Sequence, residues 1–110
     1  MNPPIIQSSN TEMLRISSER ISTSEILYFT GSGNYTNIHL SSGRVVLSSL
    51  NLRFFENNLD KSKFFRVHKS AIVNISFILY TSSIGLIMQN GEIIQVARRV
   101  RTALKALVSK

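Results

Sequence analysis

The sequence predicts a predominantly antiparallel β domain with a short helix near the middle of the chain and a second helix at its C-terminal end. Apolar and polar residues alternate over several short runs, which is the period of a strand with one buried face. Gly, Ser and Asn residues separate these runs, and such residues favour tight turns. Helical spacing occurs in only two segments, so most strands are joined by turns, as in antiparallel sheets.

The N-terminal half of the chain is predicted to be a tail followed by hairpins. Residues 1–11 contain two prolines and a Ser-Ser-Asn run, and they are predicted to be a flexible tail before a single domain over residues 12–110. A strand begins at Met13, and a polar bend is expected over residues 17–24. The strands that follow, with Gly-containing turns between them, are Glu25–Thr30, Tyr35–Leu40 and Arg44–Ser48.

The central helix is predicted over residues 51–59. Asn51 is a suitable N-cap, because its side-chain oxygen can accept a hydrogen bond from the first helical turn. Leu52, Phe55 and Leu59 then fall on one helical face, which is the pattern of a helix packed on a core.

A cluster of polar side chains lies between two apolar segments just after this helix. Phe64-Phe65 and Ala71-Ile72-Val73 are expected to be buried, and the polar residues between them are Arg66, His68, Lys69 and Ser70. A strand that ends in a short turn and then restarts would hold this cluster rigidly at one edge of a core. Cationic and hydroxyl donors of this kind suit phosphates and base edges better than they suit catalysis.

The C-terminal segment is predicted to contain three strands and a helix. The strands are near Ile78–Thr81, Ile84–Met88 and Ile93–Val96, with Asn90-Gly91 as a type I′ turn between the last two. From about Arg98 the spacing becomes helical. The first residues of this helix include Arg98, Arg99 and Arg101, although a helix N-terminus is already positive. A phosphate backbone would offset that unfavourable arrangement, and arginine can also bind guanine through two hydrogen bonds.

Net charge is concentrated in the second half of the chain. Of the net charge of +7, residues 1–60 contribute four basic and five acidic side chains, whereas residues 61–110 contribute nine basic side chains and the single acid Glu92. A solvated basic face kept for solubility is one explanation. A polyanionic partner explains the asymmetry better, with nucleic acid favoured over a membrane surface.

Composition and motifs exclude several classes of protein. The chain has no Cys, so disulfides and thiolate metal sites are excluded. His39 and His68 have no nearby carboxylate and no metal-ligand spacing, so neither a metal site nor a catalytic residue is expected, and no cofactor or small-molecule substrate is predicted. No apolar run is long enough to cross a bilayer and no signal segment precedes the domain, so we expect no membrane association and a cytoplasmic location.

The segment Gly31-Ser32-Gly33 is a turn rather than a phosphate-binding loop. It lacks a third glycine and a Lys-Ser or Lys-Thr pair, and it continues as a strand instead of a helix. The same turn exposes Asn34 beside Tyr35. Asparagine can form a pair of hydrogen bonds with adenine in the major groove, so Asn34 is a candidate base contact.

Three segments together resemble the LytTR DNA-binding domain of bacterial transcriptional regulators of the LytR/AlgR/AgrA type. The most specific is the Arg-Val-His-Lys-Ser-Ala-Ile-Val-Asn block that begins at Arg66, and the others are Glu25–His39 and Asn90–Arg99. The resemblance covers roughly residues 13–108. It implies an elongated fold of about ten short strands in layered antiparallel sheets, whose loops enter successive grooves on one face of a bent duplex.

The resemblance also implies a set of DNA-binding residues. Asn34 falls on a base-contacting position with Gly33 and Tyr35 beside it, and Arg99 falls on a second one with Arg98 as its phosphate-binding neighbour. Arg66, Lys69 and Ser70 fall on a central loop that binds the DNA backbone. Some members carry histidine where this chain has Asn34, so the resemblance does not imply which base is read.

The predicted function is therefore sequence-specific binding of double-stranded DNA by a bacterial transcriptional regulator that is not an enzyme. A second copy of the domain on a direct-repeat site is a candidate partner. Two alternatives stay open. One is a protein-interaction or regulatory module with only incidental nucleic-acid affinity. The other is binding of RNA or single strands, which the expected burial of the aromatic residues disfavours.

Overall fold

The computed structural model describes residues 5–7, 12–16 and 18–108, which form three antiparallel sheets and two α-helices. The molecule is elongated, with principal extents of 42 × 32 × 25 Å. The predicted mainly β, layered architecture with a central and a C-terminal helix is confirmed. In chain order the elements are β1 (Ile5–Gln7), β2 (Glu12–Ile16), β3 (Glu19–Ser22), β4 (Ile26–Ser32), β5 (Tyr35–Leu40), β6 (Val45–Ser48), α1 (Leu52–Asn58), β7 (Phe64–His68), β8 (Ala71–Asn74), β9 (Ile78–Ser82), β10 (Gly85–Met88), β11 (Ile93–Ile94) and α2 (Arg101–Val108).

The middle layer is a five-stranded sheet in the order β6-β5-β4-β8-β7, and it is covered on both faces. The N-terminal sheet, β1-β2-β3, and the C-terminal sheet, β11-β10-β9, each have three strands. Alternating side chains of the middle strands enter two separate cores, because successive residues of a strand point to opposite faces. Phe29 belongs to the core shared with α1 and the N-terminal sheet, whereas Tyr28 belongs to the core shared with the C-terminal sheet and α2.

Helix α1 forms as its sequence predicts. Asn51 Oδ1 accepts a hydrogen bond from Phe54 N at 2.9 Å, which caps the first turn. Leu52 and Phe55 are buried, and the rings of Phe55 and Phe29 lie 5.1 Å apart. The helix is therefore fixed to the middle sheet through β4.

The N-terminal region contains more strand than its composition suggests. The polar bend expected over residues 17–24 is wrong, because β3 lies within it and pairs with β2 in the register Leu14↔Ile21. The single buried apolar residue Ile21 is enough to determine which face of β3 packs on the core. Its neighbours in sequence are polar, so the local pattern resembles a bend and not a strand. Within the predicted tail, β1 pairs with β2, and the other residues of 1–11 lie outside the described residues.

Two hairpins of the fold have three-residue connections, and the predicted type I′ turn at Asn90-Gly91 is wrong. Gly91 N donates to Met88 O at 2.8 Å, so Gln89 and Asn90 are the central residues of the turn. Gly91 follows with a φ of 89°, which is readily accessible to glycine. The connection between β5 and β6 has the same geometry, with Gly43 at a φ of 93°.

The end of β8 is fixed to its neighbour β4 in the middle sheet by a buried polar side chain. Asn74 Nδ2 donates to Ile26 O at 2.8 Å, and its Oδ1 accepts from Ser76 N at 3.0 Å. Asn74 is only 5% exposed, so both interactions satisfy groups that have lost contact with water. The last residue of the Arg66–Asn74 block is therefore structural.

Candidate nucleic-acid interface

Two turns of the middle sheet meet at one end of the molecule. The β4–β5 turn contains Gly33 and Asn34, and the β7–β8 turn contains Lys69 and Ser70. Strands β4 and β8 are neighbours with Thr30 opposite Ala71, so the turns emerge side by side. Gly31 N donates to Ser70 O at 2.9 Å, which ties the base of the first turn directly to the second.

The segment between β11 and α2 joins the same end of the molecule. Ala97 N donates to Val67 O at 2.7 Å, which anchors this segment beside β7. Two adjoining surface recesses lie between this segment and the β7–β8 turn. Four residues line both recesses: His68, Lys69, Ala97 and Arg99. The predicted residues Lys69 and Arg99, which are 30 positions apart in sequence, therefore share one surface.

The other predicted residues differ in whether they line these recesses. Arg66 lines one of the two recesses. Gly33 and Asn34 are exposed at the tip of the β4–β5 turn, where Gly33 has a φ of 62°, and neither residue lines a recess. Arg98 is also exposed and lies in a 3₁₀ turn, Arg98–Val100, that precedes α2. The α-helix thus begins at Arg101, three residues later than its predicted start.

The β7–β8 turn is held by hydrogen bonds within it. Ser70 N donates to His68 Nδ1 at 3.2 Å, and the Ser70 hydroxyl lies 2.9 Å from the same nitrogen. Arg66 Nε donates to His68 O at 3.3 Å, and its Nη2 donates to Lys69 O at 2.5 Å. His68 is thus a structural hydrogen-bonding residue, whereas the Lys69 side chain projects from a fixed backbone into solvent.

This surface contains further residues that the sequence did not predict. Ile84, Gln95 and Arg101 line one recess, and Glu56 of α1 lines the other. The sequence shows that Arg101 belongs to a basic run, but it does not predict that Arg101 lies on this surface. Ile84 is 65% exposed at the tip of the β9–β10 hairpin, and an apolar residue among turn serines is the signal that could have identified it.

His39 lies on β5, away from the recesses, in a half-buried site. Its Nε2 lies 2.9 Å from the Thr30 hydroxyl, and its ring stacks on Tyr28 with centroids 4.3 Å apart. Burial lowers the pKa of His39 below its ordinary 6.5, and the nearby charge of Glu92 opposes that effect only in part. Within the described residues no group of three or more His, Asp or Glu side chains could hold a metal ion.

The environment of His39 predicts a pH dependence of stability. Because its pKa is lower in the folded than in the unfolded protein, the unfolded chain binds this proton more readily as the pH falls. The contribution of His39 to the free energy of unfolding is fully present above 6.5, its pKa in the unfolded chain. That contribution is lost as the pH falls through the lower pKa of the folded protein. We expect urea unfolding to show a smaller loss of stability in His39→Gln than in the original protein between about pH 7 and about pH 5. Equal losses in both proteins would contradict this assignment.

A solved structure shares this architecture. The LytTR DNA-binding domain from Bacillus cereus superimposes with a TM-score of 0.71, covering 94% of this chain and 100% of that chain at 23% sequence identity. The two proteins therefore share a fold of layered antiparallel sheets. The family model of the LytTR DNA-binding domain matches residues 17–109, so the chain belongs to the LytTR family, as its sequence motifs indicated.

Two curated relatives carry a segment similar to this chain. Both are heme-containing CO-sensing transcriptional regulators of Paraburkholderia xenovorans strain LB400. RcoM 2 is 38% identical over 94 residues, which are 80% of this chain and 35% of the relative, and RcoM 1 is 39% identical over 90 residues, which are 76% and 33%. The chain thus spans about a third of the length of these relatives. None of the helices in the described part of the chain has the length and apolar character needed to span a membrane.

Proposed function

We propose that this LytTR domain binds double-stranded DNA sequence-specifically by placing turns in successive grooves on one face of the duplex. The observation that supports this most directly is the convergence of the β4–β5 turn, the β7–β8 turn and the segment before α2 on one basic edge. The middle sheet presents the two turns, and the hydrogen bond from Ala97 N to Val67 O fixes the third segment beside them, so little ordering is needed on binding. The relatives act as transcriptional regulators, and we propose the same role for the bacterial protein that contains this domain, with a cytoplasmic location.

The residues on this edge divide by chemistry into two groups. Asn34 and Arg99 have side chains that can form paired hydrogen bonds with base edges, so we assign them sequence discrimination. Lys69 and Arg98 offer exposed donors suited to phosphate, so we assign them backbone contacts. The Ser70 hydroxyl lies 2.9 Å from His68 Nδ1, so it would contact a phosphate only by giving up that hydrogen bond. Gly33 and Tyr35 shape the turn on either side of Asn34. The Arg66 side chain is engaged within the protein.

One further surface favours a different role. Strand β6 is the edge of the middle sheet, and its Val45 and Leu47 side chains are 52% and 59% exposed. An open edge strand with apolar side chains can pair with another chain. A protein-interaction module with incidental DNA affinity would use this edge, and a second copy of the domain on a direct-repeat site could use it as well.

Selection of bound duplexes from a random pool tests the proposed function. We expect enrichment of a defined sequence that survives a random-sequence competitor in high salt. The same sequence offered as either single strand should bind more weakly at matched salt. Recovery of unrelated sequences would contradict specific binding, and equal affinity for single strands would favour the stacking mode of single-strand proteins.

The assignment of Lys69 predicts a particular dependence on salt. Lys69→Ala should weaken binding to every duplex alike and should reduce the slope of log K against log salt by about one unit, because one fewer counterion is released. Fluorescence anisotropy over a salt series measures both quantities. Lys63→Ala is the matched control, because Lys63 is an exposed lysine at the opposite end of β7. An unchanged slope in Lys69→Ala would remove this residue from the phosphate contacts.

A further inference from the structure

The guanidinium group of Arg66 is already occupied by interactions within the protein. Its Nη1 donates to Glu56 Oε1 at 2.8 Å, while Nε and Nη2 donate to the carbonyl oxygens of His68 and Lys69. All three guanidinium nitrogens therefore have a partner, and the side chain is only 25% exposed. Three of its five N–H groups are engaged in this way and burial restricts access to the other two, so Arg66 offers little to a phosphate.

We propose that Arg66 is a positioning residue for the β7–β8 turn and that Glu56 holds it in place. The inference rests on the proposed function, because it assigns how that DNA-binding surface is kept in shape. Arginine suits the task because its planar fork can bind two successive carbonyl groups and a carboxylate at once. The two carbonyl groups belong to His68 and Lys69, so their fixation orients the Lys69 side chain.

The second half of this device is the position of Glu56. It follows the buried Phe55 in α1, a helix capped by Asn51 and packed on β4, so its carboxylate is presented from a rigid element. Glu56 also lines one of the two recesses that contain Lys69 and Arg99. A carboxylate on a surface that receives phosphates is electrostatically unfavourable by itself. Its ion pair with Arg66 accounts for its presence there.

Arg66 can act either as a positioning residue or as a phosphate ligand, and these two roles predict opposite changes in DNA affinity for Glu56→Gln. If Glu56 anchors a positioning residue, its neutralisation loosens the turn, and affinity for a labelled mixed-sequence duplex should fall by roughly tenfold, which corresponds to about 1.4 kcal/mol. If Arg66 were a phosphate ligand restrained by Glu56, loss of the carboxylate would free it and binding would become tighter. Tighter or unchanged binding overturns the proposal. Glu25→Gln is the matched control, since Glu25 is an exposed acid just before β4, at the opposite end of that strand from Asn34.

A double-mutant cycle gives an independent test that does not depend on Glu56. Arg66→Lys keeps the charge but lacks the planar fork, so it should lose nearly as much affinity as Arg66→Ala. In either background Lys69→Ala should then cost much less than it does alone, because the turn that positions Lys69 is already loose. Additive losses, with Arg66→Ala reducing the salt slope by a further unit, would show that Arg66 contacts a phosphate of its own and would overturn the proposal.

The outcomes for this proposal and for the proposed function are distinguishable. If the unmodified protein shows no preference for any duplex in the selection experiment, the proposed function fails. If the unmodified protein binds and Glu56→Gln binds equally well or better, only the role of Arg66 fails. Circular dichroism melting of each variant shows that the comparison is made between folded proteins.

Discussion

Arg99→Ala is expected to relax sequence preference at one position of the target site, with a loss of about 1–3 kcal/mol of discrimination. Arg99 is exposed on the segment that Ala97 anchors beside β7, and it lines both recesses of the basic edge. A guanidinium group presented there can form two hydrogen bonds with a guanine in the major groove, and alanine can form neither. Affinity for the selected duplex should therefore fall much more than affinity for a random duplex.

The measurement compares the selected duplex with a set of single-base variants. For the original protein, a base substitution at the position contacted by Arg99 should strongly reduce affinity. For Arg99→Ala, the same base substitution should reduce affinity only slightly. Arg20→Ala serves as the control for loss of one positive charge, because Arg20 is exposed in the N-terminal sheet. If Arg99→Ala instead weakened the selected and random duplexes equally, Arg99 would be a phosphate contact and not a base contact.

The parts of the fold that sequence predicts well are those with strong local signals. Helix α1 has both a capping residue, Asn51, and an apolar face, and its limits agree with the prediction closely. Strand β5 follows an alternating pattern between a glycine-containing turn and a serine-rich turn, and its predicted limits, Tyr35–Leu40, are those observed. In both cases the local preference and the tertiary packing agree, which is the condition under which sequence reasoning is reliable.

The errors arise where tertiary contacts decide a structure that the local sequence leaves open. Strand β3 has one buried apolar residue, Ile21, and its flanking residues look like a polar bend. Glu19 in this strand pairs with Arg44 from the β5–β6 turn, and that contact, which lowers the pKa of Glu19, links residues 25 positions apart. Sequence spacing cannot reveal such a pairing.

The candidate site shows the same limit. The basic residues could be found from composition and from the family motif, but their partners could not. Arg66 stands in the same motif as Lys69, and both look like phosphate ligands in sequence. Only the fold shows that Glu56 of α1 reaches one of them, whereas the other projects freely from the turn.

Phe29→Ala is expected to have the largest effect on stability, lowering the free energy of unfolding by about 3–5 kcal/mol. Phe29 is fully buried in β4, and its ring lies 5.1 Å from that of Phe55 and 5.7 Å from that of Phe64. Truncation removes the central ring of this cluster and leaves a cavity between the middle sheet and α1. Rigid strands and a capped helix on both sides limit how far the walls can collapse.

Urea unfolding followed by circular dichroism measures this loss, and two variants frame it. Phe29→Leu fills most of the volume and should cost clearly less, whereas Leu79→Ala removes a side chain that is 58% exposed and should change stability by less than about 0.5 kcal/mol. Strand β4 also leads into the turn that contains Asn34, but the hydrogen bond from Gly31 N to Ser70 O holds the base of that turn independently of the Phe29 ring. Phe29→Ala should therefore weaken DNA binding only in proportion to the unfolded fraction. A stable Phe29→Ala protein that had nonetheless lost its DNA affinity would mean that this core positions the turn and does more than hold the sheet together.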